Sequence, residues 1–138
     1  MGKKRLKIGV ERGGGPPPGY RWSVLILDVA FREAMKFLDA DQYRYLRVQI
    51  RELAREPDPT HGQTASIDAV EDFHELRDKG GILGNINVRV FFGLDKARTA
   101  IVVLSTINKK NDGPTLSSEV RRIRRRWKEY QRGEYDTR

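Results

Sequence analysis

The sequence predicts an α+β fold: a helical hairpin packed on a small antiparallel, mixed-edge β-sheet, followed by a basic helix at the C-terminus. Three observations carry that expectation. Apolar residues recur every three or four positions between 28 and 56, strand-like alternation punctuated by glycine dominates 69 to 107, and helical spacing returns from Leu116 to Tyr130.

Taken in order, Gly13-Gly14-Gly15-Pro16-Pro17-Pro18-Gly19 continues neither a helix nor an interior strand. Residues 1–19 therefore read as a basic tail and linker, in which Lys3 to Arg12 could add a strand, track nucleic acid or be disordered, with disorder favoured for most of it, and residues 20–138 as a single domain. Arg21 to Leu27 reads as a strand with Trp22, Val24 and Ile26 on one face, and Leu25 and Leu27 make its other face apolar enough to predict burial on both sides. Asp28 is placed to cap a first helix carrying Phe31, Met35 and Leu38. Asp39 or Asp41 can cap a second, with Tyr43, Leu46, Ile50 and Leu53 on its inner stripe. Pro57 and Pro59 close that helix, and Thr60 to Ser66 reads as a surface loop.

The strand block follows. Val70 to Arg77, Ile86 to Gly93 and Arg98 to Ile107 form a predicted meander, joined through Gly80-Gly81 and Gly84-Asn85 and then through Leu94-Asp95-Lys96-Ala97. In the last helix Leu116, Val120, Ile123, Trp127 and Tyr130 form the inner stripe, and Arg121, Arg122, Arg125 and Arg126 fall away from it. Thr115 or Ser117 is its candidate cap.

A chain of 138 residues has room for one modest core and no second catalytic domain. It has no cysteine, which excludes a disulfide framework and thiolate metal sites and fits a reducing cytoplasm. No apolar run has the length of a membrane span, and the basic N-terminus leads into glycine and proline instead of a signal-peptide core, so no membrane association is expected. The formal charge of +8 is concentrated. Residues 1–19 hold five cations against Glu11, residues 116–132 hold seven against Glu119 and Glu129, and the remainder is near neutral. Such a distribution favours a polyanionic partner, nucleic acid or an acidic protein segment, although arginine-rich helices are also commonly solvated faces.

The chemistry-bearing candidates lie between Phe73 and Lys110. Strand alternation puts Arg89 in mid-strand beside Phe91, on a partly apolar face. It could pair with a carboxylate on the neighbouring strand, such as Glu75, or bind a phosphate in bidentate fashion; spacing alone tilts slightly to the ion pair. Arg77 ends the neighbouring strand, and Lys109 and Lys110 follow the last one. His74 could act as a general base, but alternation turns it away from Glu75 and Arg77 towards the side of Leu76, which favours packing. His61, beside Gly62, reads as a surface residue; no histidine or carboxylate cluster has metal spacing, and no metal or other cofactor is expected.

Glu75-Leu76-Arg77, Val88-Arg89-Val90-Phe91-Phe92, Ile101-Val102-Val103-Leu104 and Lys109-Lys110 before a terminal helix, with a helical hairpin ahead of the sheet, resemble in order and spacing the RelE/ParE superfamily of bacterial toxins, closest to its HigB-like branch. The resemblance spans about residues 20 to 132. It implies a RelE-like fold and the toxin of a type II toxin-antitoxin system, neutralised by a cognate antitoxin, through an acidic segment, in a hetero-oligomer. Many members cut mRNA on the ribosome as metal-independent endoribonucleases (mRNA interferases), using the substrate's own 2′-hydroxyl as nucleophile, and so inhibit translation. The ParE-like members inhibit DNA gyrase instead. By position, Arg89 resembles the strand arginine that contacts the scissile phosphate and Lys109 with Lys110 the basic pair after the last strand. With His74 these form the expected catalytic set, while Arg77, Glu75, Arg121, Arg122 and Arg125 are expected to bind substrate, Glu75 by orienting a cation.

The chain departs from the family in one respect. RNA-cutting relatives often carry a late Tyr or His, and here the candidates are Tyr130, on the apolar stripe, and Tyr135, in an expectedly loose terminus; neither aligns well. Three functions follow, in descending order: a ribosome-dependent endonuclease toxin, a non-enzymatic toxin acting on gyrase, and a basic RNA-binding module with no toxin role.

Overall fold

A computed structural model describes residues 4–8, 15–61, 66–110 and 113–136. Seven strands, β1 (Lys4–Ile8), β2 (Ser23–Leu27), β3 (Ser66–Val70), β4 (Phe73–Lys79), β5 (Asn87–Asp95), β6 (Ala100–Asn108) and β7 (Tyr135–Asp136), form one sheet in the order β3-β4-β5-β6-β2-β1-β7. Neighbours run antiparallel except β2 with β6 and β1 with β7, which are parallel. Among the described residues three α-helices accompany it: α1 (Asp28–Met35), α2 (Ala40–Arg55) and α3 (Ser117–Gln131). The α+β class, the helical hairpin, the mixed sheet and the C-terminal basic helix are those the sequence predicts.

Local chemistry explains most of the boundaries. Asp39 caps α2 through a reciprocal capping box: its carboxylate accepts from the Gln42 amide at 2.8 Å, and the Gln42 side chain accepts from the Asp39 amide at 3.0 Å. α1 has no side-chain cap. Leu27 occupies its cap position, and Asp28 lies one residue inside, where it pairs with Arg32 at 2.7 Å. The expected stripe of α1 is also shifted. Ala30, Ala34 and Leu38 are buried, whereas Met35 is 40% exposed, because the small alanines let α1 lie close against β6. β2 is buried on both faces, as its two apolar sides predict.

In α3 the inner stripe begins later than expected. Ile123, Trp127 and Tyr130 are buried, but Leu116 is 62% exposed and supplies no side-chain cap. Trp127 lies over β5 at Gly93, where an added Cβ would sit 2.6 Å from the ring, so the strand has to carry glycine at this crossing.

Three segments differ from expectation. Ser66–Val70 forms a strand paired with β4, in place of a loop running into one longer strand from Val70. The reversal occurs at Glu71-Asp72 with Glu71 at φ 55°, a conformation glycine or asparagine normally announces, so nothing in the sequence marked a turn. Lys4–Ile8 pairs with β2 as an added strand, where disorder was favoured, and residues 1–3 and 9–14 of the tail lie outside the described residues. Tyr135 is buried in β7 with its hydroxyl 3.3 Å from Glu129, and is not in a loose terminus. No helix among the described residues is long and apolar enough to cross a membrane.

Candidate nucleic-acid interface

The C-terminal ends of β4 and β6 and the N-terminal end of β5 meet at one end of the sheet. Register sets Glu75 opposite Phe91, Arg77 opposite Arg89 and Lys79 opposite Asn87, so these six side chains share one face. Lys109 continues the pattern across β5, its amide donating to the Asn87 carbonyl at 2.8 Å. Lys79 and Lys109 thus flank Asn87, about 10 Å apart by strand spacing. Lys110 is exposed beside them. Lys79 was missed by the sequence reading; the 75, 77, 79 alternation was the signal that could have found it.

Arg89 occupies the middle of this face and is fully buried. Its guanidinium donates to the Gly113 carbonyl at 2.6 Å and to the Thr115 hydroxyl at 3.0 Å, and lies 3.4 Å from the Glu75 carboxylate. Glu75, also buried, accepts from Arg77 at 2.5 Å and from the Thr115 hydroxyl at 2.9 Å. Thr115 therefore serves this cluster and does not cap α3. Arg77 is about one-third exposed and has a second carboxylate, Asp68, at 3.3 Å. The charge of Arg89 is matched by Glu75, as spacing alone favoured, and Gly113 and Thr115 of the segment entering α3 lie against it. Glu75 lies within ion-pair distance of both Arg77 and Arg89.

His74 is not at this end. It lies on the opposite face, opposite Phe92 with ring centroids 5.5 Å apart, and lines an open cleft of about 510 Å³ with Trp22, Asp58, Asp72 and Lys96. Burial lowers its pKa, against a smaller upward pull from Asp58, so the imidazole is neutral near pH 7. The expected catalytic set is therefore divided between two faces of the sheet. Tyr130 is no better placed as a proton donor: its buried hydroxyl donates to Asp95 at 2.6 Å, and burial and that carboxylate raise its pKa strongly.

The arginines of α3 have three fates. Arg122 and Arg126 converge on Glu33 of α1, at 2.6 and 2.9 Å, and Arg122 also pairs with Glu119. Arg124 forms a bidentate pair with Glu71 at the β3–β4 turn, at 2.6 and 2.7 Å. Arg121, Arg125 and Lys128 are exposed at helical spacings of four and three, with no ion pair among the described residues. Of the α3 residues expected to bind substrate, Arg121 and Arg125 stand available and Arg122 is held in the Glu33 cluster.

No family model matches the chain, and no curated protein does. Among solved structures, the chain is similar to the toxin-antitoxin complex RelBE2 from Mycobacterium tuberculosis, with a TM-score of 0.46 and 16% identity over 64% of this chain and 99% of that one.

Proposed function

We propose that the chain is a toxin of the RelE/ParE superfamily, HigB-like in its motif order, that docks on translating ribosomes and cleaves mRNA without a metal. The observation that carries this reading is the convergence of Arg77, Lys79, Lys109 and Lys110 at one sheet end; α3 adds Arg121 and Arg125, both exposed. In such cleavage the substrate's 2′-oxygen attacks the adjacent phosphorus and the 5′-oxygen leaves, giving a 2′,3′-cyclic phosphate and a 5′-hydroxyl. The pentavalent transition state gains negative charge, and positioned Lys and Arg side chains stabilise it most strongly where docking excludes water. Arg121 and Arg125 would hold flanking phosphates, and an acidic antitoxin segment would cover the same cations.

Inducing the chain in bacteria and mapping RNA 5′-ends tests this. Growth arrest with new 5′-hydroxyl ends inside translated frames is the expected result. Arrest with intact mRNA, together with loss of gyrase supercoiling by the purified protein, would replace it with the ParE-like reading. That second reading has an observation in its favour: the basic end holds no imidazole, since His74 lies on the other face.

A further inference from the structure

We infer that Asp68 is the counter-ion that an RNA phosphate displaces from Arg77, so that Asp68 tunes how tightly this face holds its substrate. The inference rests on the cleavage reading for the identity of the phosphate, and on register and contacts for the exchange itself. Asp68 of β3 lies directly opposite Glu75 of β4, and in the next row of the same face Arg77 lies directly opposite Arg89 of β5. Like charges opposed across strands repel, so each row needs the other. Arg77 makes the link between them: its Nε donates to Glu75 at 2.5 Å and lies 3.3 Å from Asp68.

The two carboxylates differ in what their departure would cost. The Glu75 side chain is 2% exposed and is also held by Arg89 and Thr115, so displacing it would leave buried charge unmatched. The Asp68 side chain is 55% exposed, stands on the edge strand of the sheet, and has Arg77 as its one partner among the described residues. Its carboxylate can turn to water, and an exposed pair of this kind is worth no more than about fivefold in an equilibrium constant. Glu75 therefore keeps Arg77 in place while Asp68 leaves. Both carboxylates are met through Nε, and the terminal amino groups of Arg77 have no hydrogen bond among the described residues, so the guanidinium fork can take two phosphate oxygens. Lys79, two residues further along β4, adds charge on the same face.

The test measures affinity for a labelled single-stranded oligoribonucleotide, and cleavage kinetics on translated mRNA, in wild type, Asp68→Asn, Asp72→Asn, Arg77→Gln and the double variant Asp68→Asn/Arg77→Gln. Asp72→Asn makes the same change in net charge in the cleft beside His74 and serves as the control. Asp68→Asn should bind RNA about threefold tighter at low salt. Its KM should fall by a similar factor with kcat within about twofold, because the carboxylate competes with ground-state and transition-state phosphate alike. Asp72→Asn should change affinity by less than about 1.5-fold, its charge being screened at that distance. With Arg77→Gln in place, Asp68→Asn should lose its effect, since two residues that act through one contact are not additive. Unchanged affinity in Asp68→Asn, an equal gain in Asp72→Asn, or a gain that survives Arg77→Gln overturns the inference. If Arg77→Gln fails to fold, the comparison of Asp68→Asn with Asp72→Asn decides. If wild type binds the oligonucleotide but leaves translated mRNA intact, the proposed function fails, and the affinities alone still decide whether Asp68 is exchanged.

Discussion

Two carboxylates, Glu75 and Glu33, each gather arginines, and the comparison separates what a basic chain uses for its own fold from what it offers a partner. Glu75 sits at the end of the sheet, where it pairs with Arg77 and Arg89, and Arg89 in turn holds the Gly113 carbonyl ahead of α3. Glu33 sits at an edge. β2 pairs with β6 only as far as Val103, and beyond that point α1 replaces the missing strand. There Glu33 accepts from the Ser105 hydroxyl at 2.9 Å and the Thr106 amide at 3.2 Å, while Arg126, paired to Glu33, donates to the Leu104 carbonyl at 2.8 Å. Carboxylate and guanidinium together satisfy the backbone groups that a neighbouring strand would have satisfied. One cluster thus ties the entry of α3 to the sheet, and the other closes an edge.

If that division is right, the edge cluster is the larger store of stability. Glu33→Ala should destabilise the protein by about 3 kcal/mol or more in urea unfolding, because Arg122 and Arg126 lose their counter-ion and two β6 groups lose an acceptor. Burial raises the Glu33 pKa, but hydrogen bonds from Arg126 and Arg122 outweigh it and hold the carboxyl below its ordinary 4.5. A depressed folded pKa contributes stability that is complete above the unfolded value and is lost as pH falls through the folded one. The acid limb of the stability profile should therefore begin near pH 4.5 and become shallower in Glu33→Gln. An equal loss of RNA cleavage in a Glu33 variant that stays folded would break the comparison.

The same contrast explains how much the sequence could show. Period and punctuation are local, so α2, α3 and the strands from β4 to β6 were legible, and alternation correctly separated His74 from Glu75. Partner choice is not local. Arg122 and Arg125 look equivalent in the sequence, yet one meets Glu33, 89 residues away, and the other meets solvent. Spacing tilted Arg89 to an ion pair with a carboxylate such as Glu75, which it has, whereas the Gly113 carbonyl it also holds comes from a different part of the chain and had no local signal. β3 was hidden for another reason: its reversal uses Glu71 at positive φ, where residue type gives no turn signal.

A smaller effect sharpens the distinction on α3 itself. Arg121→Ala with Arg125→Ala should leave stability within about 0.5 kcal/mol and lower the slope of log affinity against log salt for single-stranded RNA by about 1.4, two contacts at about 0.7 each. Arg122→Ala should do the reverse. It should cost about 1 kcal/mol, discounted because the side chain is one-third exposed, and leave the salt slope near that of wild type. Fluorescence anisotropy at several salt concentrations with a labelled oligonucleotide measures both; matching slope changes would mean that the Glu33 cluster opens on binding.

The smallest effect is expected at His74, which belongs to neither cluster. A general base typically contributes about a hundredfold or more to a rate, so His74→Gln should change cleavage by less than about twofold if the imidazole plays no part. Its pH signature should appear in stability instead. Burial lowers the folded pKa beneath the ordinary 6.5, so the unfolded chain binds the proton more tightly. Stability then declines as pH falls below about 6.5 and levels off beneath the folded pKa. Removing the imidazole should erase that shallow step while the acid limb that Glu33 contributes persists, because the carboxylate and its arginines are untouched. A large loss of cleavage in a His74→Gln variant that stays folded would move the reacting centre to the cleft beside Trp22, on the face opposite the cations.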